Sequence, residues 1–307
     1  MSIEQTPPNL DNIPDNDVVE DRISDDIDRI HALCEILEPS FEQIEAGVPI
    51  EDASLRDKFT ELTVLLAELH PADVAAVLES LPPRERNIVW LLVAPEDDGE
   101  VLLEVSDAVR EMLIESMDKD ELLAAIDDLD ADELAELADD LPHQVVYEAL
   151  QTRDEEEREQ VKAAMSYEDN QVGAIMDFEL VSIRADVTCE VVLRYLRRFD
   201  SLPDHTDKIF VVDENDVLQG VLPIRKLLVA DPEDMVADVM ATEVVRFRPE
   251  DDVEEAAQAF ERYDLVTAPV VDENKKLIGR ITIDEMVDVI REESEADMLN
   301  MAGLQEE

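Results

Sequence analysis

The chain has 307 residues, 81 acidic and 25 basic, for a formal net charge of −56. That charge repels phosphate and excludes a nucleic-acid backbone as partner, while it favours cations, basic partners or a saline medium. An apolar fraction of 45% with 4% aromatic residues fits two or three globular domains whose cores are Leu, Val, Ile, Ala and Met.

Residues 1 to 20 carry Pro7-Pro8, Pro14 and many acids, and are expected to form a disordered tail. The acidic, polar start does not read as a signal peptide. Over 21–37, Ile23, Ile27, Ile30 and Leu33 recur at helical spacing, with Ile36 and Leu37 extending the stripe. Cys34 and Cys189 lie far apart and suit a reducing, cytoplasmic compartment better than a disulfide framework. Four dispersed histidines without a Cys-x-x-Cys argue against zinc. No apolar run approaches the roughly 18 residues that would cross a membrane.

From Leu55 to Ser166 the pattern is helical and repetitive. Asp118-Lys119-Asp120-Glu121-Leu122-Leu123 is echoed 12 residues later by Asp130-Ala131-Asp132-Glu133-Leu134-Ala135, and the run from His70 to Leu81 is a looser third member. Each unit opens with an acid suited to cap free amides, then offers a stripe of Leu and Ala. Helices this short are marginal alone, so neighbours must stack. The expectation over 21–172 is a right-handed or gently curved superhelix of short helices.

The last third contains a duplication. Val211-Val212-Asp213-Glu214-Asn215 returns 59 positions later as Val270-Val271-Asp272-Glu273-Asn274, and Gly220 and Gly279 follow at the same offset. Two short apolar runs around a polar turn predict a two-stranded hairpin in each copy. Helical segments precede the hairpins at 190–199 and 254–263 and follow them at 224–229 and 284–291. With the starts at Met176 and Met240, and the run Gly279-Arg280-Ile281-Thr282-Ile283-Asp284-Glu285, this resembles a tandem pair of cystathionine-β-synthase (CBS) domains. The first copy is longer, and Ser201 to Thr206 accounts for the excess. The implied fold class is α plus α/β: an all-α superhelix of short helices followed by a tandem CBS pair. The expected domains are 173–238 and 239–297, with 298–307 starting a further helix.

An acidic superhelix leading into two CBS domains resembles the cytosolic part of the MgtE family of magnesium transporters. The junction from Tyr167 to Met176, the link from Leu227 to Pro232 and the end from Glu295 to Gly303 carry the likeness, which covers roughly residues 55–303. The family's membrane pore has no counterpart in these 307 residues. The resemblance implies a regulatory region on the cytosolic face of the inner membrane. It would form a homodimer through its CBS domains, sense Mg²⁺ and close to gate a transmembrane pore.

Among so many acids most are solvated surface groups, so position has to select. Asp132 and Glu136 share a helix face. Asp284 and Asp288 do so beside Glu285, and Glu293 and Asp297 repeat the spacing. Like charges so placed repel, and a hydrated Mg²⁺ reverses that sign without needing a rigid cage. By matching position, the family resemblance implies metal ligands at Glu100, Asp132 and Glu136 on the superhelix. It also implies Asp264, Glu285 and Asp288 on the second CBS domain, and Glu293 and Asp297 near the connecting helix, where Ala296 replaces an acid common in the family.

CBS pairs also bind adenine nucleotides through a glycine, a Ser or Thr three residues on and an Asp six residues on. Gly279, Thr282 and Glu285 supply this set in the second copy, which makes ATP a second ligand to test. Gly220, Pro223 and Lys226 do not supply it, because proline has no hydroxyl and lysine cannot accept from a ribose. The glycines could instead serve tight strand packing. No nucleophile–base set stands out, and His70 and His143 sit beside prolines at helix starts, so the chain reads as a non-enzyme. Two other accounts stay open: an adenine-nucleotide sensor, or a salt-adapted acidic scaffold without a specific ligand.

Overall fold

A computed structural model describes residues 16–168, 170–199, 201–287 and 289–291, with side chains from 23 onward. The tail before Asn16, Asp288, Glu293, Asp297 and the segment 298–307 therefore lie outside the described residues. The chain packs as two units that divide between Leu129 and Asp130.

Helix α1 (Asn16–Leu37) begins inside the stretch expected to be a disordered tail, which corrects its predicted start. The reason is visible in the sequence: Val19 continues the spacing of Ile23, Ile27 and Ile30 one turn back. α1 buries Ile30, Leu33, Cys34 and Leu37 and packs on α3 (Ala53–Leu66) and α4 (Pro71–Ser80). Between them, α2 (Phe41–Glu45) buries Phe41 beneath the Arg84 guanidinium, 5.4 Å from the ring centre.

The helices that follow are short. They are α5 (Pro83–Trp90), α6 (Asp98–Glu104), α7 (Asp107–Ser116), α8 (Lys119–Ala125), α9 (Ala131–Leu137), α10 (His143–Thr152) and α11 (Glu155–Ala164). Their cap positions reveal a longer repeat than the sequence echo suggested. His70, Pro82, Ser106, Asp118, Asp130, Pro142 and Asp154 keep a 12-residue step, broken only where α6 starts late, after Asp97. The fourth residue after each cap is turned inward, as at Val74, Val101, Leu122, Leu134 and Val146.

Three of these inward positions are arginines that bind the end of the preceding helix. Arg86 donates from Nε to the Leu78 carbonyl at 2.7 Å and from Nη2 to Leu81 at 3.1 Å. Arg110 reaches Leu102 at 2.8 Å and Leu103 at 2.9 Å, and Arg158 reaches Leu150 at 2.7 Å and Arg153 at 2.9 Å. Each guanidinium satisfies carbonyls that a helix C-terminus leaves unpaired and places a cation at the negative end of its dipole. Leu134 occupies the same place in α9, and the division between the two units falls just before that helix.

The duplicated part forms two small sheets. In the first copy, β1 (Ser182–Arg184) runs parallel to β2 (Lys208–Val212), which pairs antiparallel with β3 (Leu218–Pro223). In the second, β4 (Thr267–Val271) pairs antiparallel with β5 (Leu277–Thr282), and Phe247 adds a single parallel bridge to Val270. Helices α12 (Cys189–Leu196), α13 (Ile224–Leu227), α14 (Val236–Val239) and α15 (Val253–Tyr263) complete the pair, and residues 283–287 are helical. The two turns match in detail. Asp213 accepts from the amides of Asn215 and Val217, Asp272 accepts from those of Asn274 and Lys276, and Asp216 and Lys275 both take left-handed backbone at φ 63° and 64°.

The copies exchange their leading segments. Asp177, ahead of the first copy, pairs with Arg280 in the second, and Ala241, ahead of the second copy, pairs with Val221 in the first. Val172 and Met176 accordingly lie in the second copy's core with Phe247, Phe260, Val270 and Ile281, and Met240 packs on the first copy's core. Equivalent hairpin turns also meet, because Leu218 donates to Lys275 and Leu277 donates to Asp216. The Lys208 ammonium donates to the Thr267 carbonyl at 2.7 Å, and the Thr267 hydroxyl donates to Asp207 at 2.6 Å.

Candidate cation-responsive site

α9 enters its helix through a capping box in which the Asp130 amide donates to Glu133 Oε2 at 2.8 Å. The box leaves Asp132 half-buried in the first turn, where the helix dipole favours an anion. The largest charge effect on Asp132 comes from Asp177, in the segment that leads into the CBS pair. Asp177 and Arg280 exchange both backbone hydrogen bonds, at 2.9 and 2.8 Å. The Arg280 side chain, 4% exposed, folds back onto the same partner. Its Nε and Nη2 approach Asp177 Oδ2 at 2.7 and 2.6 Å, and its Nη1 donates to the Asp204 carbonyl at 2.7 Å. Asp177 Oδ1 accepts the Glu179 amide at 2.6 Å.

These groups are too crowded to carry their charges freely. Burial, reinforced by the charge of Asp177, pushes the Asp132 carboxyl up to about 8. Burial also raises Asp177, with Arg280 pulling the other way. Glu179 and Asp130 keep contact with solvent, yet both are raised, first by partial burial. Asp130 and Asp177 then act on Glu179, while Arg153 and Arg280 partly relieve Asp130. Arg280 thus acts on three of these carboxyls, Asp130, Asp177 and Glu179, and Arg153 on Asp130 alone. A second crowded acid lies in the first unit. Burial, with Glu121, Asp97 and Glu96 adding repulsion, pushes Asp98 up to about 7. Its neighbour Gly99 explains the burial, since a Cβ there would lie 2.3 Å from the Ala125 carbonyl.

Of the acids named from sequence, Asp132 is the one drawn into the crowded cluster. Glu136 and Glu100 are exposed, and Glu285 is half-buried on the helical stretch after β5. Asp264 is exposed and ends α15 in left-handed backbone at φ 50°. Among the described residues no three His, Cys, Asp or Glu side chains converge closely enough to hold a metal ion. The donor set around Asp132 is all-carboxylate, which fits a hard cation bound through its waters and not a closed cage.

At the nucleotide candidates, both glycines have a packing reason. A Cβ on Gly220 would lie 2.4 Å from the Ala241 carbonyl, and one on Gly279 would lie 2.4 Å from Met176 and 2.9 Å from the Asp177 carbonyl. The exchanged segments require both positions to lack a side chain. Thr282 is buried at the end of β5, paired with Thr267. His70 caps α4, its ring accepting the Ala72 amide at 3.3 Å.

Sequence reasoning missed Asp177, Arg280, Asp130, Glu179 and Asp204. One signal was available: Arg280 interrupts the apolar run Leu277-Ile278-Gly279-Arg280-Ile281, and a charge in such a strand needs a buried partner. Which acid would answer it depended on the exchanged segments.

The sequence matches the MgtE intracellular N domain over residues 69–170 and the CBS domain over 172–233 and 236–292. It is 32% identical over 264 residues to the magnesium transporter MgtE of Thermus thermophilus, covering 84% of this chain and 58% of that protein. It is 28% identical over 250 residues to the Bacillus subtilis MgtE, covering 81% and 55%. The chain therefore spans a little over half the length of these relatives. A crystal structure of the cytosolic domain of the Mg²⁺ channel MgtE in complex with ATP superposes with a TM-score of 0.67 at 31% identity, covering 81% of this chain and 97% of that one. The soluble part of a magnesium transporter shares the fold, with a TM-score of 0.66 at 23% identity over 86% of this chain and 99% of that one. No described helix is long and apolar enough to cross a membrane. Helical N domain, exchanged CBS pair and near-complete coverage of the crystallised region agree: the chain belongs to the MgtE family and corresponds to its cytosolic part.

Proposed function

We propose that this chain is the Mg²⁺-sensing regulatory region of an MgtE-type transporter, in which carboxylates are brought together at a distance that only added positive charge makes comfortable. What carries this reading is the likeness over most of the chain to relatives named magnesium transporter MgtE, with Asp132 on α9 raised by burial and by the charge of Asp177 beside it in support. Without Mg²⁺ their repulsion favours separation of α9 from the pair. With Mg²⁺ the closed arrangement gains, because the two states differ in cation affinity. Asp132, Asp177, Asp130 and Glu179 would hold the hydrated ion, which supplies charge and no other chemistry. Glu100, Glu136, Asp264, Glu285, Asp288, Glu293 and Asp297 remain further proposed ligands.

In the whole transporter the closed state would shut a transmembrane pore on whose cytosolic side this region sits. A homodimer through the CBS pair would bring two such regions together. Val191, Tyr195 and Phe199 support that partner, since they leave an apolar face of the α12 segment between 37% and 40% exposed. ATP is a second proposed ligand, at Gly279, Thr282 and Glu285, and the relative crystallised with ATP favours it.

Proteolysis of the junction 166–176 tests the Mg²⁺ reading. Wild type should become protected as Mg²⁺ rises into the millimolar range. Asp132→Asn with Asp177→Asn should be protected already in EDTA and respond little to the ion. Identical digestion of both proteins across the series would remove the assignment.

A further inference from the structure

Thr282, the Ser/Thr member of the second copy's nucleotide set, is 4% exposed, and its cross-strand partner Thr267 is 2% exposed. A ligand has no route to that hydroxyl while the surrounding contacts hold. Residues 202–207 of the first copy reach across to the second at three points, each next to Thr282. Two residues before it, on the same face of β5, Arg280 Nη1 donates to the Asp204 carbonyl at 2.7 Å. Two residues after it, Asp284 Oδ2 lies 3.4 Å from His205 Nε2. Across the ladder, the Thr267 hydroxyl donates to Asp207 Oδ1 at 2.6 Å. Between these points the loop is braced. The Thr206 hydroxyl donates to the Pro203 carbonyl, Leu202 packs on the first copy's core, and His205 takes left-handed backbone at φ 55°.

The duplication shows that this attachment is particular to one copy. The 59-residue step carries Arg280 back to Val221, Thr267 back to Lys208 and Asp207 forward to Val266. Val221 has no side-chain donor, and Val266 has no carboxylate to receive one. Two of the three attachments therefore have no counterpart on the first copy, where Pro223 and Lys226 have already replaced the nucleotide set. They occur on the copy that keeps Gly279, Thr282 and Glu285.

We propose that residues 202–207 are a strap that keeps the second copy's nucleotide set closed, so that an adenine nucleotide must displace it to bind. The strap rests on the reading that ATP is a ligand of that set. It is an autoinhibitory contact between the two copies. The fraction of chains with the strap released sets the apparent affinity, and loosening the strap raises that affinity without touching the set itself. Two of its attachments can be removed without disturbing a strand. The His205 and Asp284 side chains are both partly exposed, and the Thr267 hydroxyl can be replaced by a methyl of similar size.

The test uses the 307-residue chain and two readouts, one of them independent of nucleotide. Thr282→Cys places a thiol under the strap, and its rate of reaction with a small methanethiosulfonate reports how often the set is uncovered. Cys34 and Cys189 are buried, and the parent chain gives their background. Adding His205→Asn with Thr267→Val should speed the labelling about tenfold. In the chain with Thr282 intact, the same two changes should tighten ATP binding by about the same factor in calorimetry, and a further Thr282→Ala should remove it. Should the pair of changes cost the second copy its fold, seen as a lost melting transition, His205→Asn alone decides, with a smaller shift in the same direction. Faster labelling with tighter ATP binding supports both the strap and the ATP reading. Faster labelling with no ATP binding in any variant supports the strap and counts against the ATP reading. Unchanged labelling, or ATP bound with equal affinity in both proteins, overturns the strap, and binding that Thr282→Ala still removes would leave the ATP reading standing.

Discussion

The helical region and the CBS pair are both built by repetition, and they use it differently. In the helical region three of the 12-residue steps lean on the one before them, through arginines that bind the neighbour's last carbonyls. In the CBS pair the 59-residue copies exchange segments, so each core is incomplete without the other. The first arrangement is local and adds up step by step. The second is reciprocal and should be lost as one piece. A buried arginine serves both, but with neutral carbonyls in the helices and with a carboxylate at the CBS junction. Only beside the carboxylate can an added cation take over part of the arginine's charge.

The largest expected effect sharpens the local half of this contrast. Arg110→Met should destabilise the chain by about 3 kcal/mol, because two buried carbonyls lose charged donors. The loss should show in amides of α6 and α7 by hydrogen exchange and leave β2 and β3 unchanged. A loss spread evenly over both units would break the contrast.

The reciprocal half is tested at the glycines. Gly220→Ala places a Cβ against the Ala241 carbonyl, which is backbone and cannot step aside, and should destabilise by about 2–3 kcal/mol. Gly279→Ala first meets the flexible Met176 side chain and should cost about 1–2 kcal/mol. Each substitution should loosen both copies together in thermal melts followed by exchange. Loosening confined to the substituted copy would show that the cores are independent.

How much of this was legible follows from the same contrast. The 59-residue duplication, its hairpins and its turns could be read directly, because strand period, Asp-Glu-Asn turns and glycines are all local signals. The 12-residue step was visible where Asp caps repeat, at 118 and 130, and more loosely in the run from His70 to Leu81. His70 caps with its ring, Pro82, Ser106 and Pro142 stand at the same step without a side-chain cap hydrogen bond, and α6 falls out of step. The exchange of segments was not legible, since pairing Asp177 with Arg280 or with its own copy satisfies the same alternation. That hid the partner of Arg280, and with it the acid that acts on Asp132. Asp132 itself was picked out by its spacing from Glu136, although its strongest neighbour in the structure is Asp177.

A smaller effect concerns pH. In the folded chain the Asp132 carboxyl titrates up to about 8, above its ordinary value near 3.9, so folding takes up a proton. Its stabilising share is full below about pH 4 and is lost as pH rises through about 8. Asp132→Asn should flatten the decline between about pH 4 and 8. It should melt above wild type at the alkaline end, by about 1 kcal/mol after solvent screening. Asp98→Asn should act in the same direction nearer pH 7 and only on the first unit. A wild-type pH profile in Asp132→Asn would mean that the cluster is less crowded than its geometry indicates.

The central claim is that the repulsion at the α9–CBS junction is cancelled by Mg²⁺ and not by salt in general. Small-angle scattering of the 307-residue chain tests it most directly, with MgCl₂ and KCl titrated separately to matched ionic strength. The account predicts that the radius of gyration falls at millimolar Mg²⁺ and stays unchanged in KCl at the same ionic strength. Equal compaction by KCl, or none by either salt, would contradict it.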